Sequence, residues 1–593
     1  MRTCIATVSL SGSLTEKLAA CAAAGFDGIE IFEPDLVASP LSPEQIAERA
    51  RELGLSIDLY QPLREFEAVD EDEFTRNLRR ARRKFEVMRR LGTDLLLVCS
   101  NVSPRTVDDD ALAAAQLGLL ADAAAEHGIR IAYEALAWGT AVNTYAHSWR
   151  IVEAADRPNL GLCLDSFHIL ARDGDPRGIE QIPGDKIFFL QLADAPRTTM
   201  DILQWSRHLR CFPGQGGFDV AGVTGAALKA GYHGPLSLEV FNDEFRQADS
   251  ARTAVDGRRS LIRLQEQLGI LDLPAAPAPS GIAYAQISAA DPERVRRQLT
   301  ALGFTTDGWS RQGDLVETWQ QGDARILITT GSAGRDSHRD SHHDVARLTA
   351  IGLHTPDPAA AAKRAEHLLA PVLPRDHRPQ EAVIAPDGSL LYLVPAPPEG
   401  ASDGGPNAPT TVVIDHVALT QQWHGFDEAA LFYSSVLGLT LRESVELADP
   451  RGLFRSRTVT NADESVRLAL NLAPHPAHID QHAQHVAFAV PSVIDAVRRL
   501  RAAGHDTLAI PANYYDDLDA RFDLPAQTLV RLRELGILYD RDEHGEFLHC
   551  YTESVGRVFF ELLQRVGGYR GYGAANAPVR MAAQHNHTIT AGR

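Results

Sequence analysis

Residues 129–134 read IRIAYE, 160–168 LGLCLDSFH, 186–194 KIFFLQLAD and 235–242 PLSLEVFN. Each is a short, nearly unbroken apolar run that meets an oxygen-bearing residue, at Glu134, Asp165, Gln191 and Glu239 in turn. Such runs suit strands covered by helices on both faces. Four earlier runs have the same form: TCIATVSL at 3–10, FDGIEIFE at 26–33, LSIDLYQP at 55–62 and TDLLLVCSN at 93–101. Between the runs lie stretches such as LTEKLAACAAAG and DALAAAQLGLLADAAAEHG, with apolar residues at helical spacing and a closing Gly. Eight strand–helix units within residues 1–270 predict an α/β fold, a closed (β/α)8 TIM barrel. An open doubly wound sheet is the alternative.

In a parallel barrel the strands' C-terminal ends form the reactive face. Neighbouring strand ends lie about 5 Å apart, so Glu134, Asp165, Gln191 and Glu239 can converge on one cation. Oxygen donors favour Mg²⁺, Mn²⁺ or Co²⁺ over softer choices. A single acid at a strand end also serves as a helix cap, so the set carries more weight than any member. Glu30 and Asp58, near the ends of the second and third runs, are read as structural. His168 lies three residues past Asp165 and is the candidate base. Arg64 and Arg210 are candidates for clamping a substrate carboxylate, with Arg210 also assigned to the chemistry. Ser206 is expected to add a hydrogen bond to substrate.

Two segments rich in proline, residues 271–281 (LDLPAAPAPSG) and 401–410, read as linkers. They set off residues 282–400 and 411–593, which repeat a pattern. Each opens strand–loop–helix, ends that helix on LGF or LGL, and continues in alternating strands. The pattern is a tandem βαβββ repeat of four units.

The composition narrows the partners. Lys and Arg number 58 against 78 Asp and Glu, a net charge of −20, which repels nucleic acid and anionic membranes. No apolar run approaches a membrane span, and MRTCIATVSLSG reads as strand and turn rather than a signal peptide. A cytoplasmic homo-oligomer acting on a small carboxylate is expected. Cys4, Cys21, Cys99, Cys163, Cys211 and Cys550 form no CxxC pair and are expected as buried thiols.

GFDGIEIF, YEALAW, LGLCLDSFHIL, FLQLAD, PGQGGFD and GPLSLEVF, all within residues 1–265, resemble the sugar phosphate isomerase/epimerase-like barrel superfamily. Within it, a barrel followed by a dioxygenase-like tail is similar to the bacterial 3-dehydroshikimate dehydratases. That family converts 3-dehydroshikimate to protocatechuate in quinate and shikimate catabolism. The resemblance implies metal roles for Glu134, Asp165, Gln191 and Glu239 and matches His168 in its D-x-x-H pattern.

In the tail, IDHVAL, QHVAFAV, PANYYDDL and VFFELLQR resemble the catalytic half of 4-hydroxyphenylpyruvate dioxygenase, of the vicinal oxygen chelate superfamily. The resemblance implies a second metal, Fe²⁺ or Mg²⁺, on His416, His485 and Glu561. Residues 282–400 match the half without metal, and its His338, His342 and His343 read as a solvated loop. Three positions depart from that family: Ala577 replaces an aromatic in the terminal lid, His549 replaces a Gln, and Asn471–Pro474 read NLAP. Three other readings stand beside the dehydratase. The barrel could be a sugar or hydroxy-acid isomerase or epimerase, which would not depend on His168. The tail could be an Fe²⁺ dioxygenase for an aromatic 2-oxo acid, or a module that binds an aromatic acid.

Overall fold

The computed structural model describes residues 1–312, 314–330, 345–375, 380–397, 411–450, 452–472 and 483–591. They form two compact units, Met1–Asp272 and Leu273–Arg593. The expected linker at 401–410, the histidines His338, His342 and His343, and Ala473 and Pro474 of the NLAP stretch lie outside the described residues.

In the first unit the eight apolar runs are eight parallel strands. They are β1 Thr3–Ala6, β2 Gly28–Phe32, β3 Ser56–Leu63, β4 Leu95–Cys99, β5 Arg130–Glu134, β6 Leu160–Asp165, β7 Ile187–Leu192 and β8 Leu236–Leu238. They pair in sequence order, and β8 returns to β1 to close the barrel. Closure leaves no unpaired edge, which removes the template for aggregation that an open sheet carries. Helices start and stop where the sequence places caps. Asp70 accepts the N–H of Glu73 to begin the helix Glu71–Leu91, and Gly92, at φ 74°, ends it in the left-handed region.

The barrel has two apolar layers. Inside it, Leu59, Leu95, Leu97, Ala132, Cys163 and Phe189 form a packed plug. Outside it, alternate strand residues such as Leu96, Ile131, Leu162 and Leu190 pack with the helices. All six cysteines are buried and free. The plug fills the barrel's interior, so polar strand-end groups collect at one face.

The second unit holds two eight-stranded sheets. The first comprises β9 Gly281–Ser288, β10 Thr305–Gln312, β11 Asp314–Gln321, β12 Ala324–Thr329, β13 Arg347–Thr355, β14 Val372–Leu373, β15 Ala382–Ile384 and β16 Leu390–Pro395. Its order is β10-β11-β12-β9-β13-β16-β15-β14. The other comprises β17 Val413–Gln421, β18 Thr440–Asp449, β19 Gly452–Thr460, β20 Arg467–Leu472, β21 Gln484–Ala489, β22 Leu538–Arg541, β23 Gly545–Tyr551 and β24 Val558–Gly567. Its order, β18-β19-β20-β17-β21-β24-β23-β22, repeats the first. Each sheet is therefore two βαβββ units joined at their first strands, β9 with β13 and β17 with β21. Among the described residues no helix is long and apolar enough to cross a membrane.

Phe189 is 1% exposed and lies in the barrel plug. Phe189→Ala is expected to cost about 3–5 kcal/mol, read as an earlier barrel transition in urea unfolding of the full chain. A loss below about 1 kcal/mol would mean that the interior collapses to refill the space.

Candidate metal-dependent active site

The face at the C-terminal ends of β5 to β8 gathers acids by register alone. Asp165 pairs with Gln191 across β6 and β7, and Glu239 follows β8 directly. Glu134, Asp165 and His168 each offer a ligand atom within 4.8 Å of the others, and all three are buried. Burial together with the charge of Glu239 pushes the Glu134 carboxyl well above its ordinary range. Burial also lifts Glu239, to about 7, although Arg210 opposes the shift. Asp165 is equally buried, yet Arg210, His168 and the Phe167 N–H hold it below its ordinary value.

Arg210 is the counter-charge. Its Nη1 donates to Asp165 Oδ2 at 2.7 Å and to Glu239 Oε2 at 3.1 Å. Its Nε and Nη2 donate to Ser206 Oγ at 3.1 and 2.9 Å. Arg210 therefore spends its donors on the acid cluster, and Ser206 holds Arg210. Both residues line the small cavity over the acids. Arg64 lines it too but forms no ion pair among the described residues. Arg207, which the sequence reading passed over, lines the same cavity.

Asp165 Oδ1 accepts the N–H groups of Phe167 and His168, at 2.6 and 3.4 Å, and so caps the short helix Ser166–Leu170. That cap aims His168 at the site. Its Nδ1 meets the Ala137 N–H at 3.1 Å, and its Nε2 meets Arg210 Nη2 at 3.2 Å. A neutral imidazole offers one lone pair, so the two donors compete. Nε2 is the nitrogen on the side of the acids, 3.6 Å from Asp165 Oδ2 and 3.8 Å from Glu134 Oε1. Burial, with the charges of Arg210 and Arg64, lowers His168 to about 3 against the pull of Asp165, which leaves the ring unprotonated at neutral pH.

Gln191 stands beside Asp165 at the end of β7, and its amide has two neighbours. Its Nε2 donates to Glu30 Oε2 at 2.6 Å, and its Oε1 receives Cys163 Sγ at 3.3 Å. Glu30 also accepts from Gln61 at 2.7 Å and from Ser237. Glu30, read as structural from its strand position, is thus the hub that orients the Gln191 amide. Asp58 pairs with Arg2 at 3.0 Å, away from the acids. A further group invisible in the sequence is Asp194. Its carboxylate accepts the N–H groups of Ala195, Gly214, Gly216 and Phe218 at 2.8–3.1 Å. That network pins the glycine-rich loop following Arg210. At Gly216 an added Cβ would come within 2.4 Å of the Ala195 carbonyl oxygen, so the close approach requires glycine.

The barrel acids fit a divalent cation. Three carboxylates against the single guanidinium of Arg210 leave two negative charges when ionised. Glu134 Oε1 is buried and has no hydrogen-bond partner.

The tail builds a second centre. His416 on β17, His485 on β21 and Glu561 on β24 come from three neighbouring strands of one sheet. The two histidine Nε2 atoms are 3.1 Å apart and lie 3.3 and 3.2 Å from Glu561 Oε2. Ligands about 2.1 Å from a cation and at right angles to one another have edges of about 3 Å, so this triangle fits one face of a metal. Asp415 accepts from His416 Nδ1 at 2.9 Å, which leaves the Nε2 lone pair for the centre. Arg467 and Arg565 in turn hold Asp415, with donors at 2.9–3.0 Å. His549 Nδ1 donates to Glu561 Oε1 at 2.7 Å and fixes the third ligand. A cavity of about 510 Å³ opens over the triad, and Asn471, Tyr572 and Ala577 help to line it.

Both halves have known relatives. Residues 18–264 match the Xylose isomerase-like TIM barrel family. Residues 413–544 match the Glyoxalase/Bleomycin resistance protein/Dioxygenase superfamily. A 3-dehydroshikimate dehydratase of Pseudomonas aeruginosa is 44% identical, with 98% of each chain aligned. The chain belongs to the 3-dehydroshikimate dehydratase family. A member from Pseudomonas putida is also 44% identical over 98% of each chain. A solved structure described as a xylose isomerase-like TIM barrel/4-hydroxyphenylpyruvate dioxygenase fusion protein superposes with a TM-score of 0.88. It is 41% identical, and the match covers 99% of each chain. The two Pseudomonas relatives therefore align across both halves of the chain.

Removing the guanidinium should expose the cost of the acid cluster. Arg210→Met is expected to destabilise the chelator-treated barrel by about 3–5 kcal/mol. The loss should shrink under saturating Mn²⁺, because a cation neutralises the same carboxylates. Urea unfolding with and without Mn²⁺ reads both quantities, and equal losses would separate Arg210 from the cation site.

Proposed function

We propose that the barrel dehydrates 3-dehydroshikimate to protocatechuate with a divalent cation. One observation carries the reading. The Glu134, Asp165 and His168 cluster lies at the strand ends of a barrel whose full chain aligns with Pseudomonas 3-dehydroshikimate dehydratases. Glu134, Asp165 and Glu239 would hold the cation, with Gln191 beside them on β7. Their hard oxygen donors favour Mg²⁺, Mn²⁺ or Co²⁺. When bound, the cation supplies Lewis-acid stabilisation to negative charge developing on the substrate's carbonyl oxygen.

The rest is the work of side chains. Arg64 receives the substrate carboxylate at the mouth of the cavity, and Arg207 adds positive potential there. His168 Nε2 takes the proton next to the ketone. The β-hydroxyl leaves as water, accepting the proton that His168 carries. Transfer of one further ring proton to the former ketone oxygen makes the ring aromatic and drives the reaction forward. Arg210 keeps Asp165 ionised and His168 unprotonated, so the base is ready at neutral pH. In the tail, His416, His485 and Glu561 suit Fe²⁺, a cation that accepts two imidazoles and a carboxylate on one face.

The test mixes metal-loaded protein with 3-dehydroshikimate and follows protocatechuate by its ultraviolet absorbance. Chelator and Glu239→Ala should each abolish product. His168→Ala should lower kcat by about 10²–10⁴-fold, whereas Arg64→Ala should act mainly by raising KM. No product with Mg²⁺, Mn²⁺ or Co²⁺ would sink the reading. Full activity of His168→Ala would keep the dehydratase reading and assign the proton transfer to a base other than His168.

A further inference from the structure

The terminal helix Ala577–Ala591 carries Arg580 into the wall of the tail cavity. Arg580 is only 8% exposed. It rests on the rings of Tyr551 and Phe559, 5.6 and 5.5 Å from their centroids, and donates to Gln584 Oε1 at 2.7 Å. No carboxylate pairs with it among the described residues. The two acids that line the same cavity are already committed. Glu561 serves three histidines, and Glu464 serves Arg442 and Arg467. A buried cation without a counter-charge is costly, and an anionic ligand would supply one.

The cavity has a second pole. Phe559 packs on His485 at 4.8 Å between centroids and also carries Arg580, so one ring touches both the guanidinium and a triad histidine that line the cavity. Three protein ligands on one face of a cation leave adjacent positions open, which suits a ligand with two neighbouring oxygens. Val445, Leu447 and Phe454 give the space between apolar walls, and about 510 Å³ accommodates a single substituted ring.

We propose that this cavity binds a vicinal dihydroxybenzoate, with its two hydroxyl oxygens toward the His416, His485 and Glu561 centre and its carboxylate on Arg580. A monocarboxylic 2-oxo acid that chelates a cation spends its one carboxylate there and leaves Arg580 unpaired. A dihydroxybenzoate chelates through its hydroxyls and keeps the carboxylate for Arg580. The product proposed for the barrel belongs to this class. That link rests on the dehydratase reading, but binding does not, because the ligand is added directly.

Calorimetry on the full chain carrying Glu239→Ala, which disables the barrel's cation site, tests the proposal. The protein is loaded with Mn²⁺ and titrated with 3,4-dihydroxybenzoate, catechol or 4-hydroxyphenylpyruvate. Dihydroxybenzoate should bind at least tenfold more tightly than catechol, which lacks the carboxylate. Arg580→Gln should weaken dihydroxybenzoate at least tenfold and leave catechol unchanged, Arg580→Lys should recover part of the loss, and His485→Ala should abolish binding. Equal affinity for catechol and dihydroxybenzoate on the parent chain would overturn the proposal without recourse to any Arg580 variant. So would tighter binding of 4-hydroxyphenylpyruvate. A failed dehydratase assay would leave all of these outcomes unchanged.

Discussion

Mutual repulsion among buried carboxylates is the constraint around which the barrel is arranged. Parallel strands in sequence order bring Glu134, Asp165 and Glu239 to one face whether or not their charges agree. The packed plug below denies them water. Arg210 offsets part of the charge and is itself held by Ser206. Helix cap, histidine ring and glycine loop are then fitted around that one guanidinium. An apolar replacement of such a cluster would often be at least as stable, so these acids are kept for what they bind.

The tail meets the same difficulty with a different balance. Two of its three ligands are imidazoles, which can be buried neutral, and a single carboxylate completes the set. Its charge is placed one layer out, where Asp415 sits between Arg467 and Arg565. The barrel thus concentrates negative charge at the ligands, whereas the tail has one ligand carboxylate and, behind the histidines, an Asp415 flanked by two guanidiniums. Hard oxygen-loving cations suit the first arrangement and nitrogen-tolerant ones the second.

The two architectures were legible because their periodicities are strong. Eight apolar runs with helical stretches between them leave few alternatives to a closed barrel, and the repeated strand–helix openings mark the four βαβββ units. Strand-end acids were legible for the same reason, since register follows from the runs. What a polar side chain touches across the barrel was not. Nothing in IFFLQ says that the Gln191 amide turns to Glu30, 161 residues back in the chain and five strands away in sequence order. Nothing in QWSRHLR says that its last arginine faces acids and its first faces the cavity. His549 was noticed as a departure, but its bond to Glu561 depends on the pairing of β23 with β24. Asp194 was quoted within FLQLAD, but four backbone partners reach it only once the loop has folded.

Asp165 divides its two oxygens between two tasks, one toward the helix that bears His168 and the other toward Arg210. The placement of the base and the placement of the charge centre therefore form a single mechanical piece. A shift of one drags the other with it, so this pair is a poor place for gradual tuning. Arg64 and Arg207 are not tied to that piece by any ion pair among the described residues. Changes of specificity on this scaffold are thus easier at the rim than in the inner assembly.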